Sequence, residues 1–418
     1  MNTNSLPTDL PPDSRQRSNS RQRLSLRAKR WLLLLATLSG CFLVLEIALR
    51  ILGLGVPPTS MYRFDPHTGA RLVANYSGWQ TREGRTLVTT NDRGLRDVPH
   101  AMTKPAETFR IAVIGDSFAE AAQVEIEETF WKIAESELQR CQFAGDQKIE
   151  VLNFGVSGFG TAQELLMLRH YVWQYEPDMI LLSFFPDNDI QNNSPILEPE
   201  KQRPFFSVQD NRLVLDDSRL ADPEREQFER SMWIRGKDFA IRHIRLLGLA
   251  YQAKQRLGQR AAAADSGDAA SGDVATEAGL NAEVFAPPTG AWETAWELTD
   301  RLIETIAEEA TAHQASFAVL VVTSGIRVDP DPRPAAQLAT ELGVDDLGYA
   351  DRRLLELGQR NGFPVIVLTA AMRRYAQQHD QPLHGFENAV LGRGHWNRHG
   401  HALAGKLLAE ALCETPPQ

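Results

Sequence analysis

Beyond residue 109, short apolar runs bounded by polar or turn residues alternate with longer stretches in which apolar positions recur every three or four residues. The runs are residues 110–115 (RIAVIG), 149–153 (IEVLN), 178–184 (DMILLSF), 316–323 (SFAVLVVT) and 363–368 (FPVIVL). Helical periodicity is clearest over residues 124–140, 161–175, 292–313 and 346–360. Runs rich in β-branched residues, without polar alternation, belong to strands covered on both faces. Their alternation with helices predicts a parallel sheet. The expected fold class is α/β.

A different apolar stretch lies near the N-terminus. Residues 31–56 read WLLLLATLSGCFLVLEIALRILGLGV, and the nineteen residues from Trp31 to Leu49 carry one charge, Glu46. As a helix those nineteen residues span roughly 28 Å, against a hydrocarbon core of about 30 Å. Residues 1–30 hold seven basic and two acidic side chains, a net +5 placed directly before the apolar run. That asymmetry predicts a cytoplasmic arm, a single membrane anchor and an exported remainder, periplasmic in a Gram-negative cell. Glu46 and Arg50 stand four apart and are expected to pair. Leu38-Ser39-Gly40-Cys41 matches a lipobox, but the apolar run continues well past Cys41, which favours a retained anchor over lipidation. No A-x-A site follows the apolar stretch.

The expected organisation is a disordered basic arm (1–30), the anchor (31–56), a juxtamembrane lead-in of turns and short polar strands (57–108), and a large domain (109–416). Residues 191–291 interrupt that domain, too long for a plain crossover. Within the insertion a helical stretch is expected over residues 228–257. Residues 261–279 (AAAADSGDAASGDVATEAG) read as a flexible linker. Net charge is −10 overall, hence −15 outside the basic arm, which argues against nucleic acid as a partner. Of three cysteines, Cys141 and Cys413 are able to form a disulfide in an oxidising compartment or to remain two buried thiols.

In an open parallel sheet, ligands bind beyond the carboxyl ends of the strands. The first strand there runs into Gly115-Asp116-Ser117, the second into Asn153-Phe154-Gly155-Val156-Ser157-Gly158, and the third into Pro186-Asp187-Asn188-Asp189. Gly394-His395-Trp396-Asn397 precedes the last helix. A serine, a glycine turn, an asparagine and a histidine on one edge suit acyl transfer. The hydroxyl needs a base, and the oxyanion needs fixed donors, each worth roughly 3–4 kcal/mol of barrier. Other readings fit less well. Ser157 lacks the glycine that G-x-S-x-G requires, because Phe159 stands there. His395 and His399 have a metal-like spacing without the glutamate of H-E-x-x-H. No phosphate-binding glycine motif follows the first strand, so neither metal nor cofactor is expected. His399 and His401 are expected to cap or pack the C-terminal helix, and Asp116 and Asp189 to brace loops.

These blocks, in this order, resemble the GDSL/SGNH hydrolase superfamily over about residues 109–190 and 290–415, in its membrane-attached bacterial branch. The resemblance implies a three-layer αβα sandwich with a five-stranded parallel sheet in flavodoxin-like order. It implies Ser117 as nucleophile and backbone oxyanion donor, Gly158 as second backbone donor, Asn188 as side-chain donor and His395 as base. The family commonly places an acid two or three residues before the histidine, where this chain has Arg393 and Gly392. Asp380 and Glu387 are the candidate acids, a Ser–His dyad being the alternative. The expected activity is an extracytoplasmic serine esterase acting on O-acyl, foremost O-acetyl, esters of a cell-envelope or exported polysaccharide. O-acetyl transfer through the same acyl-enzyme is the alternative, and a non-catalytic carbohydrate-binding or scaffold protein, suggested by the missing acid, is a third reading.

Overall fold

The computed structural model of the chain describes residues 26–52, 54–55, 61–198, 202–210, 212–220, 231–251, 253–254 and 281–414. The chain divides into two units, residues 1–52 and 53–418. The first holds helix α1 (Leu26–Ile51), most of whose apolar side chains are exposed, Leu49 near its end being buried. Residues 29–51 are long and apolar enough to cross a membrane, a test that a signal sequence also passes. Arg50 pairs with Glu46 at 2.9 Å, as their spacing predicts. The helix begins at Leu26, so the last residues assigned to the disordered arm are helical, and the rest of that arm lies outside the described residues.

The second unit opens with two antiparallel hairpins in the lead-in, β1 (Tyr62–Asp65) with β2 (Gly69–Leu72), and β3 (Ser77–Gln80) with β4 (Thr86–Thr89). Then come β5 (Thr108–Gly115), α2 (Ser117–Glu120), α3 (Phe130–Arg140), β6 (Lys148–Asn153), α4 (Thr161–Met167), β7 (Met179–Phe184) and α5 (Pro186–Asn193). The insertion holds a hairpin, β8 (Phe205–Gln209) with β9 (Arg212–Asp216), and helix α6 (Met232–His243). The chain closes with α7 (Ala291–Ala312), β10 (Ser316–Val321), α8 (Gly325–Val328), α9 (Arg333–Leu342), α10 (Tyr349–Asn361), β11 (Val365–Val367), α11 (Thr369–His379) and α12 (Arg398–Glu414).

Strands β6-β5-β7-β10-β11 form one parallel sheet. Numbered among themselves they run 2-1-3-4-5, the flavodoxin-like order. Every residue of β5 and β7 is buried, so the missing alternation in the sequence does reflect coverage on both faces. On one face Ala112, Ile114, Leu152, Ile180 and Leu182 meet Leu165 of α4 and Trp296, Leu302 and Ile306 of α7. On the other, Val113, Val151, Leu181 and Leu320 meet Trp131 of α3, Met372 of α11 and Leu408 of α12. A disulfide joins Cys141, just after α3, to Cys413 at the end of α12.

Some elements depart from expectation. The helix expected from residue 124 starts at Phe130, because the Thr129 hydroxyl caps it and residues 126–128 form a separate turn. The β8–β9 hairpin adds strands to the insertion that the sequence reading did not assign, and it buries Phe205 and Phe206. The linker at residues 261–279 lies outside the described residues.

Candidate active site

The sheet order places the ends of β5, β6 and β7 side by side, and three of the expected blocks come directly after those ends. Ser117 is the first residue of α2. Asp116 before it is fully buried. One carboxylate oxygen accepts the Phe118 N–H at 2.9 Å, and the other accepts the Asn188 side-chain amide at 2.9 Å. Burial pushes the Asp116 carboxyl up, against the pull of these hydrogen bonds. Asp116 thus ties the serine turn to Asn188 in the first turn of α5. Asp189 braces the same segment by accepting the Phe185 N–H at 2.8 Å.

The histidine arrives from the opposite end of the chain. Residues 384–396 form a loop pinned at its base by a bridge between His384 and Trp396, with the Gly385 N–H donating to the His395 carbonyl at 2.9 Å. The His395 ring packs against Phe118, centroids 5.0 Å apart. Its Nε2 accepts from the Ser117 hydroxyl at 2.8 Å, and its Nδ1 lies 2.5 Å from a Glu83 carboxylate oxygen. Serine, histidine and glutamate therefore form one hydrogen-bonded chain.

Neither acid expected from the sequence occupies that place. Asp380 is exposed and closes α11 in a left-handed conformation (φ 48°), and Glu387 is exposed on the histidine loop. The acid beside His395 comes from the turn between β3 and β4, 312 residues earlier in the chain. Asn388, the neighbour of Glu387, locks that turn in place. Its oxygen accepts the Gly84 N–H at 2.9 Å, and its amide donates to the Thr81 and Gly84 carbonyls at 3.1 and 2.9 Å. Gly394 completes the fit. A Cβ there would collide with Glu83 Oε1, and its φ of 77° suits glycine.

The charges around the ring set its titration. Burial pushes the His395 pKa down, but the hydrogen bond and charge of Glu83, aided by Asp116 and Glu120, outweigh it, and the pKa ends above its ordinary value. Burial likewise raises Glu83, and His395 more than reverses this, leaving the carboxyl below its usual range. Two other histidines are fully buried and held near pKa 3, chiefly by desolvation. His384 meets the Thr323 carbonyl through Nε2, and His401 accepts the Phe130 N–H through Nδ1. Both pack the scaffold, as expected for His401, and the exposed His399 donates its N–H to Asn397 at the start of α12.

Gly158 is the third residue of a turn closed by the Phe159 N–H donating to the Val156 carbonyl at 3.1 Å. Its φ of 78° is the value a type II turn demands there. Space beside its α-carbon is open within 4 Å. Among the described residues, the backbone N–H groups of Ser117 and Gly158 have no protein acceptor, and Asn188 keeps one amide hydrogen beyond the bond to Asp116.

Sequence reasoning missed Glu83 because Thr81-Arg82-Glu83-Gly84 reads as an ordinary hairpin turn. A faint signal existed in Gly394, directly before the histidine, where the lack of a side chain leaves room for a carboxylate from elsewhere. Among the described residues, no group of three or more His, Cys, Asp or Glu is placed to hold a metal ion.

No family model and no curated protein matches the chain. Solved structures do. An α/β hydrolase, LAE5, from the metagenome of Lake Arreo, Spain, is 12% identical, covers 74% of this chain and 97% of its own, and has a TM-score of 0.36. The acetyl xylan esterase AlAXEase is 10% identical over 72% of this chain and 99% of its own, with a TM-score of 0.36. A lipase/acylhydrolase from Enterococcus faecalis is 15% identical over 74% of this chain and 99% of its own, with a TM-score of 0.34. At these scores the likeness carries no functional argument. By its own sheet order the chain has a five-stranded parallel sheet in flavodoxin-like order with helices on both faces, the three-layer αβα architecture expected from the sequence.

Proposed function

We propose that the protein is a membrane-anchored, extracytoplasmic serine esterase that hydrolyses O-acyl, foremost O-acetyl, esters of a cell-envelope or exported polysaccharide. The observation that carries this reading is the unbroken chain from Ser117 Oγ through His395 to Glu83, at 2.8 and 2.5 Å. Glu83 holds the His395 Nδ1–H and so fixes the tautomer whose Nε2 lone pair faces Ser117. As the Ser117 oxygen attacks the acyl carbonyl, its proton passes to Nε2, and the imidazolium is stabilised by Glu83. The tetrahedral oxyanion is met by the N–H groups of Ser117 and Gly158 and by the Asn188 amide. Collapse expels the sugar alkoxide, which takes the proton from His395 and leaves an acyl-serine. Water then repeats the sequence and releases the acid. With Glu83 beside His395, the missing acid no longer argues for a non-catalytic protein.

Location rests on two features. The +5 arm before α1 favours export of everything after it. The Cys141–Cys413 disulfide belongs in an oxidising compartment. The test is fluorophosphonate labelling of the full-length protein in detergent, with hydrolysis of 4-nitrophenyl acetate in parallel. Labelling at Ser117 and turnover, both lost in Ser117→Ala, are expected. A wild-type protein that neither labels nor hydrolyses would overturn the esterase reading. Acetyl transfer to an added sugar in preference to acetate release would convert it to a transferase.

A further inference from the structure

A second contact from the lead-in reaches the other side of the site. Glu120, the last residue of α2, is a fully buried carboxylate three residues beyond Ser117. Its Oε2 accepts the Ser157 N–H at 2.7 Å, in the turn that presents Gly158. The Tyr62 hydroxyl, from β1, donates to the same carboxylate, 2.9 and 3.1 Å from its two oxygens. Gly155 begins this turn segment packed directly on α2. A Cβ at Gly155 would stand 2.5 Å from the Glu120 nitrogen and 2.6 Å from Ala119. Nucleophile helix and oxyanion turn are thus in contact, and Glu120 bonds one to the other. Burying a carboxylate is costly unless hydrogen bonds and charges offset it, and here the Tyr62 hydroxyl, the Ser157 N–H and the charge of Arg96 do so. No step of the proposed mechanism consumes this carboxylate.

We propose that Glu120 is a positioning residue for the oxyanion site: held by Tyr62, its carboxylate fixes the 156–159 turn so that the Gly158 N–H faces the acyl carbonyl oxygen. The inference rests on the esterase reading above and assigns Glu120 no contact with substrate. Gln at 120 retains an oxygen for the Ser157 N–H and an amide that donates to the Tyr62 oxygen. Ala retains neither.

The test measures kcat, KM, Tm and the Kd of ethylboronic acid, which forms a tetrahedral adduct with an active serine, for full-length wild type, Glu120→Ala, Glu120→Gln and Tyr62→Phe. Misplacing one oxyanion donor costs on the order of 10²-fold in kcat. Glu120→Ala should show that loss with KM nearly unchanged and boronate affinity weakened in step with kcat/KM. Glu120→Gln should recover most of the rate, and Tyr62→Phe should fall between. Boronate affinity is the discriminating readout, since mere destabilisation lowers Tm without touching it. Should Glu120→Ala fail to fold, Glu120→Gln and Tyr62→Phe decide. A folded Glu120→Ala or Tyr62→Phe with wild-type boronate affinity would overturn the proposal, as would a Glu120→Gln no better than Ala. Fluorophosphonate labelling of wild type separates the failures. Absence of labelling removes the esterase reading itself, whereas labelling with indifferent Glu120 variants removes only this role.

Discussion

Two regions of the molecule contribute to the site in opposite ways. The αβα core supplies Ser117, Gly158 and Asn188 at consecutive strand ends, each fixed by the sheet order and by buried braces such as Asp116 and Asp189. The lead-in has no core of this kind. Its two hairpins have strands of four residues, yet they bring Glu83 to His395 and Tyr62 to Glu120. In the proposed mechanism the core places the groups that touch the reacting atoms, and the lead-in orients His395 through Glu83 and, through Tyr62 and Glu120, the turn that carries Gly158. Orientation depends on a few polar contacts and is correspondingly easy to disturb by point mutation without unfolding the sheet.

The sharpest break of this division removes a core group. Ser117→Ala and His395→Ala should each lower kcat by a factor on the order of 10⁴–10⁶, and the double variant should be little worse, because members of one catalytic unit are not additive. Steady-state hydrolysis of 4-nitrophenyl acetate by purified variants measures this. Next comes the lead-in acid. Glu83→Ala should cost on the order of 10²–10⁴ in kcat by freeing the imidazole tautomer, while Asp380→Asn and Glu387→Gln stay at the wild-type rate. A large loss in either of the last two would return the acid to the histidine loop. A smaller effect is expected from the packing that docks the two regions. Asn388→Ala removes three hydrogen bonds to the Glu83 turn, and Gly394→Ala drives a methyl into Glu83. Each should lower kcat by about 10- to 100-fold, the range expected when a misplacement of about 1 Å disturbs a positioned group. The smallest effect on rate belongs to the scaffold. Cys141→Ser should lower Tm by several degrees, in line with the roughly 2–5 kcal/mol lost with a native disulfide, and leave kcat intact.

The sequence disclosed the core better than the lead-in, for a physical reason. Strands such as residues 110–115 announce themselves by unbroken burial, and ligands sit just past the carboxyl end of a parallel strand. The blocks that hold Ser117, Gly158 and Asn188 were therefore readable from position, and that of His395 from its place before the last helix, while the role of each residue came from the family resemblance. Glu83 was not readable in either way. Its contact to His395 spans 312 residues, and a glutamate before a glycine in a hairpin turn looks like solvent-facing surface. Asp380 and Glu387 were nearer in sequence but sit on exposed backbone. Asn388, one residue along, carries the contact that matters. The same holds for Glu120, whose helical neighbours gave no hint that Tyr62 would reach it from β1.

The most direct test of a catalytic acid supplied by the lead-in is the pH dependence of kcat/KM in wild type and Glu83→Gln. His395 must be neutral to accept the serine proton, so activity falls as pH drops through its pKa. Glu83 favours the imidazolium and holds that pKa above the ordinary histidine value. Removing the negative charge should lower the pKa, so the acidic limb of Glu83→Gln should move to lower pH while its plateau falls. An acidic limb that stays where the wild type has it, with the plateau undiminished, would contradict the assignment of Glu83 to His395.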